Sequence, residues 1–311
     1  MLENSEFDKT IYDELMAAIK ELHKQKEGVR SDYFYRLGKK TRSLLDYFSF
    51  SGLKEKIIRK KRYGKYCAAV DLNTAINDRE ICSYYSRERI AVYTCIAGNY
   101  DMIVEPLFVP DNCDFFAITD FEIPSDSKWK RIDINSFDEI NGMDDVSRNR
   151  FFKFFPHKVF HDYRYSIYLD GNIAVYSDLT EHLNRISEIG LSVFIHSKRT
   201  CAYEEIKSCA ALRKESEERL ERYRLFLESN GFPHDYGLLE CGVIVRDHTS
   251  NICKKIMQEW WELFEAYIHR DQLILPYVLY NNSISTELVG TLGRNIRRDY
   301  SFEIQKHTSK G

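Results

Sequence analysis

Apolar positions along the chain change period near residue 89. From residue 7 to 26, Ile11, Leu15, Ala18, Ile19 and Leu22 recur at spacings of three and four, the period of an amphipathic helix. Residues 32–66 continue as shorter helical pieces that are basic and rich in aromatics. From Arg89 onward the apolar runs become short and β-branched, with helical and polar stretches between them, which predicts a mixed sheet with crossover helices. Residues 90–96 form one such run, ended by the turn Gly98-Asn99-Tyr100-Asp101; residues 115–120, 165–169, 192–196 and 242–246 read as further strands. Helices are expected near residues 147–160, 203–230 and 250–267, and no internal repeat is present. The chain therefore divides into a helical, basic N-terminal extension over 1–88 and an α/β domain over 89–311.

Length and composition fit that division. A chain of 311 residues accommodates one large core plus an extension, and 43 % hydrophobic and 30 % charged residues with six prolines describe a globular protein. The net charge of −3 hides an asymmetry: from Arg36 to Lys65 eleven Lys or Arg face only Asp46 and Glu55. Such a run suits peripheral contact with an anionic membrane surface or with nucleic acid; a solvated helix face, or a surface that meets an acidic partner, explains it as well. The eight cysteines are scattered without a C-x-x-C pair, which argues against a structural zinc site and a disulfide framework. The start, Met1-Leu2-Glu3-Asn4-Ser5-Glu6, lacks the pattern of a signal peptide, and no apolar stretch is long enough to span a bilayer. The expectation is a cytoplasmic protein that can touch the inner face of a membrane.

Polar residues gather at the C-terminal ends of the expected strands, where open α/β sheets bind ligands. The run Tyr168-Leu169-Asp170-Gly171-Asn172-Ile173 delivers an acid, a glycine and an amide from a strand. Oxygen ligands at both ends of such a turn can hold a hard divalent cation that bridges a diphosphate, although Asp-Gly-Asn is also ordinary turn chemistry. Asp120 can accept hydrogen bonds from a base or ribose, and Arg148, Arg150 and Lys153 on one helical stretch can meet phosphate oxygens. Tyr93 and Tyr100 are candidates for stacking on a base, with burial in the core as the alternative.

Taken in order, residues 150–158 (Arg-Phe-Phe-Lys-Phe-Phe-Pro-His-Lys), residues 166–172, His196 with the segment Arg199-Thr200-Cys201-Ala202-Tyr203-Glu204-Glu205, and Arg270-Asp271-Gln272 resemble a glycosyltransferase-like family. That family was first catalogued as a domain of unknown function and is shared by bacterial surface-polysaccharide loci and plant mucilage-related proteins. The resemblance covers about residues 90–307 and implies a GT-A-like, Rossmann-type mixed sheet flanked by helices. It also implies transfer of a sugar from a nucleotide-sugar donor, a UDP-sugar, to a capsule, O-antigen or other glycan or lipid-linked glycan acceptor. A more distant similarity to retaining glycogenin-like and bacterial galactosyltransferase-like enzymes implies roles for single positions. Their Asp-x-Asp metal motif falls on Asp170 and Asn172, their Asn-Ala-Gly-Val segment on 240–243, their Asp-Gln pair on Asp271 and Gln272, and their late metal-binding histidine on His307. Asn172 stands where those enzymes carry a carboxylate, and Glu240 where they carry an amide.

The resulting expectations are specific. Asp271 and Glu240 are the candidate catalytic acids, as base or as stabiliser of an oxocarbenium-like centre. Donor contacts are expected from Tyr93, Asp120, Arg150, Lys153, Asp170, Gly171 and Gln272, and acceptor contacts from His196, Glu204, Glu205 and Arg270. A Mn²⁺ or Mg²⁺ ion is expected at Asp170, Asn172 and His307. His157 and His196, each in apolar company, have a structural reading too. Competing with transfer are an inactive sugar- or nucleotide-binding module, for which Asn172 is the clue, and a hydrolase of glycolipid or sugar phosphate. These and nucleic-acid binding through 36–65 rank below transfer: nucleic-acid binding leaves the polar set on the sheet unexplained, and no Ser-His-Asp or histidine-rich metal cluster stands out for hydrolysis.

Overall fold

The computed structural model describes residues 88–98 and 100–307, together with Ala17, Ala18, Glu21 and Gln25, which are helical. The expected helix over 7–26 is otherwise outside the described residues, as is the whole basic segment 36–65. Compact units comprise Met1–Ala68 and Ala69–Gly311, and the account below concerns the described part of the second.

In chain order the elements are β1 (Ile90–Ile96), β2 (Cys113–Thr119), β3 (Lys130–Asp133), α1 (Asp145–Phe154), α2 (Pro156–Val159), β4 (Tyr165–Leu169), β5 (Ile173–Val175), β6 (Leu191–Ile195), α3 (Ala202–Ala211), α4 (Glu217–Ser229), β7 (Leu239–Asp247), α5 (Asn251–Ala266), α6 (Asp271–Asn281), α7 (Thr286–Val289) and β8 (Phe302–Ile304). Six strands form one sheet in the order β3-β2-β1-β4-β7-β6, and β5 pairs with β8 in a second, two-stranded sheet. β1, β2, β3 and β4 are mutually parallel, whereas β7 runs antiparallel to both β4 and β6. The mixed α/β sheet flanked by helices is thus the class expected from the sequence.

The strands read as near-continuous apolar runs because both faces of the sheet are covered. In β1, Ala91, Tyr93 and Cys95 enter the core under the helices, while Ile90 and Val92 enter a second core with β5, β8, Leu292 and Ile296. The helical face is dominated by an aromatic seam between α1 and α5: the Phe154 ring lies 4.7 Å from Trp260 and 5.9 Å from Phe264. Trp260 also donates its indole N–H to the Asp271 carbonyl at 3.0 Å, tying α5 to the first residue of α6.

Differences from the sequence pattern have local causes. The helix expected over 147–160 breaks at Pro156, which lacks an N–H and restricts Phe155 before it. The long helix expected over 203–230 is two helices, separated where Arg213 takes φ +52° and restarted by Ser216, whose Oγ accepts from Arg219 N at 3.2 Å. β3 is a short edge strand, Lys-Arg-Ile-Asp, whose charge conceals it from an apolar pattern and discourages edge pairing. β5 and β8 span three residues each, too few for a periodic signal.

Among the described residues no helix is long and apolar enough to cross a membrane, and Cys95, Cys113, Cys201, Cys209, Cys241 and Cys253 are free, buried thiols.

Because Trp260 is fully buried in the seam, Trp260→Ala is expected to lower unfolding free energy by about 3–5 kcal/mol. Urea denaturation measures this, and a loss below about 1 kcal/mol would contradict the assigned packing.

Candidate active site

Strand direction decides which residues meet. The C-terminal ends of β2 and β4 bring Asp120 and Asp170 to one end of the sheet; the antiparallel β7 brings its start, with Glu240, to the same end, and β6 finishes there at His196. Above them α1 presents Arg150 and Lys153, three residues apart on one face. The N-terminus of α6 adds Arg270, Asp271 and Gln272.

Lys153 is at the centre. Only 1 % exposed, its ammonium lies 2.6 Å from Asp271 Oδ2, 3.1 Å from Asp170 Oδ1 and 4.8 Å over the Tyr168 ring. Arg150 Nε is 3.7 Å from the same Asp271 oxygen, an ion pair too long for a hydrogen bond. Burial pushes the Asp271 carboxyl upward, but Lys153, Arg150 and Arg270 more than reverse this and hold it well below the ordinary carboxylate range. Glu240 behaves in the opposite way. Burial raises it, with Asp170 and Glu205 adding to the rise against the opposing charges of Arg297 and Lys198.

Two glycines make the approach of Asp170 feasible. A Cβ on Gly242 would lie 3.2 Å from Asp170 Oδ2, and one on Gly171 would lie 3.0 Å from Ile96 Cγ1. Asp170 N also donates to Gly242 O at 2.8 Å, fixing the turn against β7.

Several buried polar atoms at this end have no hydrogen-bond partner among the described residues: Asp120 Oδ1, Arg150 Nε, Tyr168 Oη, Glu240 Oε2 and Arg270 Nε. An orphaned buried polar group costs about 1–3 kcal/mol, so their gathering at the C-terminal end of β2 and β4 marks a place where a polar ligand would complete the bonding. Asp120 Oδ2 accepts from Gly98 N at 2.9 Å, while the buried Oδ1 has no partner among the described residues.

Around the candidate cation position, Asn172 Nδ2 donates to Gln305 O at 3.0 Å and Gln305 N to Asn172 O at 2.8 Å. This pairing continues β8 along Asn172, and two residues further on His307 Nδ1 lies 2.8 Å from Asp101 Oδ2. Among the described residues no three His, Cys, Asp or Glu side chains cluster as a cation site; the candidate set here has an amide as its third member. Asp101 is buried at 6 %, and the sequence reading passed over it as part of a turn. An acid just beyond the first strand was its one visible signal.

On the acceptor side, His196 Nδ1 accepts from Lys198 N at 3.3 Å and Arg199 N at 3.1 Å, which puts the ring hydrogen on Nε2. Burial pushes this imidazole down to about 4, so it is neutral. Glu204 is exposed and pairs with Lys207 at 2.6 Å.

Two expectations are corrected. Tyr93 is fully buried, donates its hydroxyl to Phe152 O at 3.0 Å and accepts from Arg246 Nη1 at 3.0 Å. Its ring packs 5.3 Å from Tyr168 and 5.0 Å from Phe160, so no base can stack on it. Glu205 is 1 % exposed and ion-paired with Arg199, which joins the segment after β6 to α3 rather than offering a carboxylate to an acceptor.

Tyr93→Phe is accordingly expected to cost about 1–3 kcal/mol of stability and to leave nucleoside diphosphate affinity unchanged; a weakened affinity at wild-type stability would restore Tyr93 to the pocket. Acid stability follows from three histidines. Burial pushes His157, His196 and His248 each down to about 4, so the folded protein keeps them neutral. The unfolded chain takes up protons below about 6.5, so stability is complete above that pH and declines as pH falls towards about 4. Urea midpoints across this window should fall, and His248→Gln should flatten the decline; an unchanged slope would remove His248 from the account.

Comparison with known proteins adds the following. The family model for the TOD1/MUCI70, glycosyltransferase-like domain matches residues 128–303, more than half of the chain's 311. No curated protein sequence matches. Similar solved structures include the WbbM bifunctional glycosyltransferase (15 % identity, TM-score 0.45), covering 64 % of this chain and 39 % of that one. Mouse xyloside xylosyltransferase 1 is similar at 9 % identity and TM-score 0.39, with 63 % and 82 % covered. The mannosyltransferase Ktr4p of S. cerevisiae is similar at 11 % identity and TM-score 0.33, with 75 % and 76 % covered. The chain thus spans well under half the length of WbbM. With the matched stretch carrying Lys153, Asp170, Glu240 and Asp271, the chain belongs to the family of TOD1/MUCI70 glycosyltransferase-like domains.

Proposed function

We propose that the chain transfers a sugar from a nucleotide-sugar donor, a UDP-sugar, to a glycan or lipid-linked glycan acceptor of the surface-polysaccharide type. The observation that carries this reading is the buried Lys153 held between Asp271 and Asp170 at the C-terminal end of the parallel strands, among unpartnered polar atoms. Donor sugar hydroxyls can be addressed by Asp271, Lys153 and Gln272, and the diphosphate by the Asp170-Gly171-Asn172 turn and Arg150. Asp120 suits the ribose or base through Oδ1.

Asp170, Asn172 and His307 fit a Mn²⁺ or Mg²⁺ ion chemically, as a carboxylate oxygen, an amide oxygen and an imidazole nitrogen. When bound, such an ion neutralises charge on a departing diphosphate. In transfer, the bond from the anomeric carbon to the diphosphate oxygen breaks with its electron pair leaving on the nucleotide. A bond from the acceptor oxygen forms, and the acceptor hydroxyl loses its proton. The two acids divide this work by environment. Asp271, held ionised by Lys153, stabilises positive charge at the anomeric carbon; Glu240, raised by burial and with Oε2 unpartnered, is suited to receive the proton. His196, neutral with its hydrogen on Nε2, and Arg270 are placed to bind acceptor hydroxyls.

Isothermal titration with UDP, GDP, CDP and dTDP tests the donor class. One nucleotide is expected to bind and to weaken in Asp170→Ala; no binding by any of them would overturn the reading. Turnover then separates transfer from hydrolysis, since transfer requires an acceptor for nucleotide release. Asp271→Asn is expected to lower transfer about 10²–10³-fold while nucleotide affinity stays within about threefold, because the carboxylate acts on the sugar; unchanged turnover would exclude Asp271.

A further inference from the structure

Each of the three side chains proposed to hold the cation has one heteroatom engaged elsewhere in the protein. Lys153 engages Asp170 Oδ1 at 3.1 Å, Gln305 O engages Asn172 Nδ2 at 3.0 Å, and Asp101 Oδ2 engages His307 Nδ1 at 2.8 Å. The atoms that remain, Asp170 Oδ2, Asn172 Oδ1 and His307 Nε2, are the ones able to ligate. A partner that fixes the second heteroatom of a ligand is how proteins orient metal-binding side chains.

The His307 pair is the informative one. An ionised carboxylate only accepts, so the hydrogen resides on Nδ1 and the lone pair on Nε2. His307 is half-exposed, with Tyr100 against its ring edge at 5.3 Å, whereas Asp101 is buried. Asp101 also sits at the turn itself: its Cβ would be 3.5 Å from a Cβ on Gly171. A half-exposed imidazole is therefore held by a buried carboxylate that belongs to the loop after β1. Charge points the same way. Asn172 contributes none and Asp170 is already paired with Lys153 at 3.1 Å, so Asp101 adds a second carboxylate beside the turn. Asp101 and His307 both lie outside the stretch 128–303 that the family model matches.

We infer that Asp101 is a positioning residue: it holds His307 beside the Asp170-Gly171-Asn172 turn with Nε2 directed to the cation, and it supplies through that hydrogen bond the negative charge that Asn172 lacks. The inference rests on the metal-assisted reading proposed above, and it assigns Asp101 no contact with donor or acceptor.

The experiment compares UDP affinity in Mn²⁺ with UDP affinity in EDTA, by titration of the full chain. In the wild-type protein Mn²⁺ strengthens UDP binding. Asp101→Asn keeps the shape and a hydrogen-bond acceptor but removes the charge, and is expected to cut the Mn²⁺-dependent gain about tenfold while affinity in EDTA and the melting temperature stay unchanged. His307→Ala should cut the gain at least as far, and the Asp101→Asn, His307→Ala double variant no further than His307→Ala alone. A wild-type gain in Asp101→Asn overturns the inference, as do losses that add in the double variant, which would make Asp101 act independently of His307. A wild-type protein that binds UDP equally in Mn²⁺ and EDTA also overturns it, while leaving the donor reading intact. Failure to bind UDP in both conditions removes the donor reading and this inference together.

Discussion

An ammonium group taken out of water costs several kcal/mol unless carboxylates surround it, and the geometry of this site follows from how Lys153 is accommodated. Lys153 is 1 % exposed in the buried stretch Phe151–Phe154 of α1. Asp271 from α6 and Asp170 from β4 converge on it from two sides, with the Tyr168 face beneath. One cation thereby fixes two carboxylates that come from elements about a hundred residues apart in the chain. Removing either carboxylate from such a group leaves a buried charge under-compensated.

The scaffold supplies the precision. Parallel β1, β2 and β4 end together, and the reversal of β7 places Glu240 at that end although it lies at the start of its strand. The aromatic seam of α1 and α5 sets the height of Lys153, and the Trp260 indole, bonded to the Asp271 carbonyl, sets the start of α6. The two acids then differ by environment alone. Asp271 has cations on every side and stays charged; Glu240 is buried beside another carboxylate and is raised. A pair of acids with opposed shifts is what reactions that both stabilise charge and move a proton require.

Much of this was legible in the sequence, for identifiable reasons. The five longer strands announced themselves because burial on both faces writes continuous β-branched runs, and Asp170 stood out because a strand that ends on Asp-Gly-Asn is conspicuous. β3, β5 and β8 were illegible: one is charged and two are three residues long. Tyr93 illustrates an ambiguity that periodicity leaves open, since a tyrosine on a doubly covered strand reads alike whether it lines a pocket or the core. Its hydroxyl is satisfied by Phe152 O and by the buried Arg246, 153 positions away, neither of which its own strand announces. Glu205 was misread because acids at a helix start are common on surfaces, and its partner Arg199 lies before the helix. Asp101 gave no signal because its hydrogen-bond partner lies 206 positions later. Pairing across such separations has no local signature.

We propose that Lys153 and Asp271 form the floor for the donor sugar and that its diphosphate meets the Asp170 turn. A crystal structure with Mn²⁺ and a non-hydrolysable UDP-sugar analogue tests it most directly. The account predicts the diphosphate against the Asp170-Gly171-Asn172 turn and a sugar hydroxyl within hydrogen-bond distance of Asp271. A nucleotide bound away from the ends of β2 and β4, or a sugar directed away from Asp271, would contradict it.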